Sequence, residues 1–153
     1  MNLIAHWDGF ESVSIGASVL TVGRRVLAQA VFQAADATDW PKGAGVESSV
    51  PAAVLRSVLL YCLATNICPS QEIVEASESD PAVKYFCANH SLDWHIVHEF
   101  RKRNSVFIRG ALTHVFQSVS SNSPLAPLKR IAHLEADVRI RRAVQADSIV
   151  LDL

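Results

Sequence analysis

The sequence predicts an all-α fold, a compact helical bundle. Apolar residues recur every three or four positions through most of the chain, as they do on the buried face of a helix. An Asp-Pro pair at 80–81 and an aspartate at position 93 are typical helix starts. Half of the 153 residues are hydrophobic, which is enough to form the core of one domain.

The first part of the chain predicts an irregular leader over 1–18, followed by a helical domain over 19–119. Its first helix follows from the helical spacing of Val26, Ala30 and Ala34. Pro and Gly then interrupt the pattern over 39–45, which indicates a loop. The residues from Pro51 to Leu63 predict a central helix with a wide apolar stripe, capped by a serine before it.

Three further helical patterns complete this domain. Ser70 is the expected N-cap of the next helix, because its hydroxyl can accept from a free backbone amide. Asp80 and Pro81 then begin a short helix that Asn89 ends in a left-handed conformation. Asp93 caps the last one, and Ser105 restarts it. Together the segments between 51 and 103 predict a helix-turn-helix-like three-helix unit.

The end of the chain predicts a linker, a helix and one strand. Ser, Asn and Pro are frequent over 118–127, and the linker is placed at 120–127. The segment 128–153 then contains a helix to Gln145 and a short β-branched strand over 148–153, which has no predicted partner. The start of the chain lacks a signal peptide, and no apolar run approaches the roughly 20 residues of a membrane span. Its three cysteines show no paired spacing, which favours reduced thiols in a cytoplasmic protein.

Charge is distributed unevenly along the chain. Residues 1–100 contain 5 basic and 11 acidic residues, whereas residues 101–142 contain 9 basic and 2 acidic ones. A basic segment of this kind can neutralise nucleic-acid phosphates, although the two halves can equally neutralise each other within the fold.

Several short motifs follow one another along the chain: the Pro-led helix Pro51–Tyr61, the segment Pro69–Ile73, the aromatic Phe86, Asp93 and the run Phe100–Asn104. Together they resemble the N-terminal domain of bacterial DDE insertion-sequence transposases. Their order and spacing match that domain over roughly 19–119. The resemblance implies a DNA-binding domain that recognises element ends, working in the cytoplasm without a cofactor.

The same resemblance implies that this chain is not an enzyme. Family members continue into a ribonuclease-H-like domain whose three carboxylates hold two metal ions for phosphoryl transfer. The segment Ile149–Asp152 is similar to the first strand of that domain, and Asp152 takes the place of the first carboxylate. The rest of that domain does not follow in this sequence, so cleavage and strand transfer are not expected.

The candidate DNA-binding residues are aromatic, imidazole and basic side chains on two helices. The basic members can contact phosphates or guanine edges, and the aromatic members can contact bases or sugars. The alternative is that the tryptophan packs in the core and that the charges are solvated. The candidates are Trp94, His95, His98, Arg101, Lys102, Arg103, Lys129 and Arg130.

The sequence also bears on three other functions: zinc binding, nucleophilic catalysis and protein interaction. Cys87, His90, His95 and His98 have side chains that suit zinc, but they straddle a helix end, so no metal site is predicted. No nucleophile elbow or phosphate loop occurs.

A protein-interaction module is the main alternative: a homodimer, or an inhibitor that pairs with a full-length transposase. Its surface would be the apolar residues Leu128, Ile131, Leu134, Val138 and Val144.

Overall fold

The computed structural model describes residues 12–15, 20–41, 49–121 and 126–151. Within these ranges six helices surround an apolar core, which confirms the predicted all-α bundle. None of the described helices combines the length and apolarity needed to cross a membrane. The helices are α1 (Arg24–Ala37), α2 (Ala52–Ala64), α3 (Ser70–Ser79), α4 (Pro81–Cys87), α5 (Trp94–Ser121) and α6 (Ala126–Leu151).

A short antiparallel hairpin precedes the helices, where an irregular leader was predicted over 1–18. Strand β1 (Ser12–Ile15) pairs with β2 (Leu20–Gly23), and α1 therefore begins at Arg24 rather than near residue 19. Both segments alternate polar and apolar residues, a period of two that favours strands. The rest of the predicted leader, residues 1–11 and 16–18, lies outside the described part of the chain.

Helices α2 to α4 lie close to where the sequence predicts them. At the start of α4, the Oδ1 atom of Asp80 accepts from the backbone amides of Ala82 and Val83 at 2.8 and 3.3 Å, which confirms the Asp-Pro start. Two predicted caps were wrong. Pro51 and Pro69 occupy the N-cap positions of α2 and α3, and neither can cap with its side chain, so Ser70 is the first residue of α3.

Helix α5 is the central element and packs against α1, α2, α3 and α6. Asp93 caps it by accepting from the backbone amide of Ile96 at 2.9 Å, as predicted. The helix is kinked at Asn104, whose φ of −117° and ψ of 16° are not helical. The kink agrees with the predicted restart at Ser105.

Helix α6 differs most from the prediction. It begins at Ala126 and α5 ends at Ser121, so the described helices extend into both ends of the predicted linker 120–127. The predicted strand over 148–153 was wrong, because α6 continues through Leu151. Extending an existing helix adds a hydrogen bond for each residue, whereas a single strand has no partner for its backbone. Asp152 lies outside the described residues.

Candidate functional site

The predicted DNA-binding residues of α5 are divided between the core and the surface. Helical periodicity turns positions 94, 98 and 101 towards α6, and it turns 95, 102 and 103 outwards. His98 and Arg101 are therefore buried, Trp94 is half-buried, and His95, Lys102 and Arg103 are exposed. His98 and Arg101 are enclosed by protein in this structure, away from the surface where a phosphate would approach, so a DNA contact through them stays a prediction.

The two buried residues belong to a polar cluster around Asp147 of α6, which is 1% exposed. The Oδ2 atom of Asp147 accepts from Arg101 Nη2 at 3.1 Å and from Ser70 Oγ at 2.5 Å. His98 Nδ1 lies 3.0 Å from the same oxygen. Because an ionised carboxylate can only accept, the hydrogen in that contact belongs to His98 Nδ1. Three helices, α3, α5 and α6, thus meet at one oxygen atom.

The surroundings of Asp147 favour its ionised form. Burial alone would raise its pKa, but the hydrogen bonds from Ser70 and His98 and the charge of Arg101 outweigh burial and hold the pKa below its usual value. The carboxylate is therefore charged at neutral pH, and the neighbouring guanidinium balances it within the core.

Asp147 also caps α3 from a distant part of the chain. Its Oδ1 atom accepts from the backbone amide of Ser70 at 3.0 Å, at a helix start where Pro69 has no capping side chain. A carboxylate at this position satisfies a free amide and interacts favourably with the positive end of the helix dipole. The N-cap that the sequence assigned to Ser70 is thus supplied by α6.

A second charged residue of α6, Arg139, caps the C-terminal end of α2. Arg139 is fully buried, and its Nη1 donates to the carbonyl oxygens of Leu63 and Ala64 at 2.7 and 3.3 Å. These carbonyls belong to the last turn of α2, where the helix dipole is negative and favours a cation. Glu135 accepts from Nε and Nη2 of Arg139 at 3.1 Å, so the guanidinium is well satisfied.

Helix α6 therefore holds both ends of the turn between α2 and α3. Arg139 binds the end of α2, and Asp147, about two turns further along α6, binds the start of α3. Arg142 adds a bond to the side-chain oxygen of Asn66 at 2.6 Å, within that turn. We call Arg139, Arg142 and Asp147 the α6 clamp. These three residues fix the packing of the basic C-terminal helix.

The cluster around Asp147 contains a serine, a histidine and an aspartate, but its order does not suit nucleophilic catalysis. A serine nucleophile needs its hydroxyl next to the imidazole that removes its proton. Here the Ser70 hydroxyl bonds the carboxylate, and Ser70 is fully buried within α3. The arrangement stabilises a helix junction instead.

The four cations Lys102, Arg103, Arg109 and Arg141 are exposed on α5 and α6, and we call them the basic surface. Asp137 of α6 joins two of them, with its Oδ1 3.7 Å from Arg109 Nη1 and its Oδ2 2.5 Å from Arg141 Nη2. Lys102 and Arg103 lie before the kink at Asn104 of α5, and Arg109 lies after it. One carboxylate thus serves two arginines, which leaves this surface positive.

The remaining DNA-binding candidates are Lys129, Arg130 and Trp94. Lys129 and Arg130 lie in the first turns of α6, and their side chains are outside the described part of the structure. Trp94 stacks on His98 with ring centroids 4.5 Å apart and an angle of 11°, so its ring covers the buried cluster. Its face towards His98 is therefore occupied by protein.

The residues considered for zinc do not form a metal site. No group of three metal-ligating side chains occurs among the described residues. Cys87 is buried, and desolvation raises its pKa to about 11, which disfavours the thiolate that a metal would need. His98 is engaged with Asp147.

Asp147 and the packing role of Arg139 were not predicted from the sequence. Their positions carried a signal, because they continue a buried stripe of small residues at helical spacing. That stripe comprises Ala132, Ala136, Arg139, Ala143 and Asp147. A charged residue on a buried face needs a partner, and the partners of Asp147 lie more than 40 residues away, where they leave no local pattern.

No protein-family model matches the chain. No curated protein and no solved structure matches it either.

Proposed function

We propose that this chain is a non-catalytic module that binds double-stranded DNA through the basic surface of α5 and α6. Its motifs resemble the N-terminal domain of insertion-sequence transposases, and element ends are the DNA we propose it recognises. The three described cysteines are reduced and buried, in keeping with the cytoplasmic location that we propose.

The observation that carries this proposal is the outward orientation of the excess cations. Of the basic side chains described on α5 and α6, only Arg101 and Arg139 are buried, and each has a carboxylate partner. The remaining ones are exposed: Lys102, Arg103, Arg109, Arg141 and Arg142. The two acids of the segment 101–142 are Glu135, which Arg139 occupies, and Asp137, which two arginines share. Positive charge therefore remains where phosphates can approach it.

This proposal moves the contact surface relative to the sequence prediction. Lys102 and Arg103 stay in it, whereas Arg109 and Arg141 replace Arg101 and His98. Arg103 lies only 3.9 Å from Glu99 and is more than half exposed, so that pair is weak in water. DNA phosphates can compete with the pair for this cation.

Fluorescence anisotropy with a labelled 20-base-pair duplex tests the proposal. We expect the variant with Lys102→Gln, Arg103→Gln, Arg109→Gln and Arg141→Gln to bind at least tenfold more weakly than the wild type at low salt. The matched control carries Arg25→Gln and Lys84→Gln, which remove exposed cations from α1 and α4. Equal affinities for the wild type and the quadruple variant would refute the basic surface as the DNA contact.

A second candidate function, protein interaction, is favoured by a separate observation. Large apolar side chains are exposed on α6 and on the neighbouring turn of α5, among them Leu134 at 55% and Val106 at 66%. Ile131 and Val144 of the predicted contact surface are exposed too, and Val138 is half-buried. Leu128 has no described side chain. Grouped apolar exposure of this kind is typical of a surface that another protein covers.

The partner in this second proposal is another copy of the chain or a full-length transposase. Sedimentation velocity of the wild type and of Leu134→Asp tests the homodimer. We expect self-association that is insensitive to salt and that the aspartate abolishes. A wild type that stays monomeric at high micromolar concentration would remove the homodimer and leave pairing with a longer transposase to be tested by mixing.

A further inference from the structure

A pocket on the far side of the bundle joins α1, α2 and α4. It has a volume of about 370 Å³, at the small end of the range for ligand sites. Aromatic rings form much of its wall: Phe32 packs against Phe86 at 5.1 Å between centroids, and Tyr85 lies beside both. A site of this size and lining suits a small molecule with an apolar body.

One cation, Arg56, lines this pocket. Arg56 of α2 is half-buried, and no carboxylate lies within ion-pairing distance among the described residues. Its Nε atom is buried and has no hydrogen-bond partner in that part of the chain. A half-buried guanidinium without a counter-charge is partly desolvated, so an anion that enters the pocket beside it would be favoured.

The orientation of this guanidinium is fixed by an aromatic ring. The Cζ atom of Arg56 lies 4.9 Å from the centroid of the Trp40 indole, and Trp40 is itself held by a bond from its Nε1 to the carbonyl oxygen of Ala35 at 2.8 Å. A guanidinium held by stacking loses little freedom when it binds, and its fork can receive both oxygens of a carboxylate.

We propose that this pocket binds a small organic monocarboxylate, with the carboxylate on Arg56 and an aromatic or alkyl body against Phe32, Tyr85 and Phe86. Asp36 also lines the pocket, and its charge repels a doubly charged phosphate about twice as strongly as a monocarboxylate, so a single negative charge is preferred. This site is independent of the proposed DNA contact, since none of its residues belongs to the basic surface.

Titration of the full chain with 3-phenylpropionate, followed by Trp fluorescence and by ¹H–¹⁵N spectra, tests the proposal. We expect saturable binding in the millimolar range, which is usual for a ligand of this size. We expect 3-phenylpropionamide, which has the same body without the charge, to bind about tenfold more weakly. This comparison needs only the wild-type protein. If the amide and the acid bind with equal affinity, Arg56 does not bind the carboxylate and the proposal is overturned.

Two variants place the binding at this pocket. Arg56→Met keeps the length of the side chain, and we expect it to weaken 3-phenylpropionate at least tenfold while the circular dichroism spectrum is retained. Arg25→Met, at an exposed position of α1, is the matched control and should bind as the wild type does. Absence of saturable binding to the wild type, or undiminished binding to folded Arg56→Met, would overturn the proposal.

Discussion

Arg101 of α5 and Asp147 of α6 form a buried ion pair, with 3.1 Å between Nη2 and Oδ2 and with both residues at most 3% exposed. The pair explains why Arg101, the first residue of the basic run 101–103, lies in the core while Lys102 and Arg103 are exposed. It also ties the orientation of the C-terminal helix to the helix that precedes it.

Asp147→Asn should reduce the free energy of unfolding by about 3 kcal/mol, because it leaves Arg101 buried without a counter-charge. Urea denaturation of the full chain measures this change. Asp137→Asn is the matched control, since it removes an acid of the same helix whose ion pairs are exposed, and it should change stability by less than about 1 kcal/mol. Equal effects of the two variants would contradict a buried pair.

Arg101→Met should also destabilise the fold by about 3–5 kcal/mol, rather than weaken DNA binding in a folded protein. The double variant with Asp147→Leu should cost less than the sum of the two single changes, because it removes both charges together. A double-mutant cycle by urea denaturation gives the coupling free energy. Strictly additive effects would show that the two side chains do not interact.

Stability should fall in acid through Asp147. Its folded-state pKa lies below the usual value, so its contribution is complete above the unfolded-state pKa, near about 4, and is lost as the pH falls through the folded-state pKa. The difference in unfolding free energy between the wild type and Asp147→Asn should therefore shrink below about pH 4. A difference that stays constant from pH 6 to pH 3 would contradict the lowered pKa.

Arg139→Met should lower the free energy of unfolding by about 1–3 kcal/mol. The change removes the hydrogen bonds that the Leu63 and Ala64 carbonyls at the end of α2 accept from Arg139. The methionine retains most of the apolar contact with Phe116, over which the guanidinium lies. Arg141→Met, two positions further on and exposed, serves as the control. Thermal unfolding of both variants should show a lowered melting temperature only for Arg139→Met.

Local chemistry made most of the helices predictable. Asp80 and Asp93 cap helices through amides two or three residues away, so a few consecutive residues are enough to predict their role. The α6 clamp could not be predicted in this way, since Asp147 and Ser70 are 77 residues apart. The burial of Arg101 could not be predicted for the same reason, since its partner Asp147 lies on a distant helix.

Two errors at the ends of the chain have different causes. The residues Ser12–Ile15 and Leu20–Gly23 are short segments in which helix and strand periods share apolar positions, so the hairpin went unrecognised. The β-branched residues Ile149 and Val150 favour a strand by propensity, yet they are helical because α6 already exists before them. Continuation of an existing helix thus outweighs β propensity at Ile149 and Val150.

The salt dependence of DNA binding tests the central claim most directly. The logarithm of the association constant for a 20-base-pair duplex should fall linearly with the logarithm of salt concentration, with a slope of about −0.9 for each phosphate contact. For a surface of four cations, replacement of Lys102, Arg103, Arg109 and Arg141 by glutamine should reduce the size of that slope by about 3 to 4. A slope that is the same in the wild type and in the folded quadruple variant would contradict the claim that this surface binds DNA.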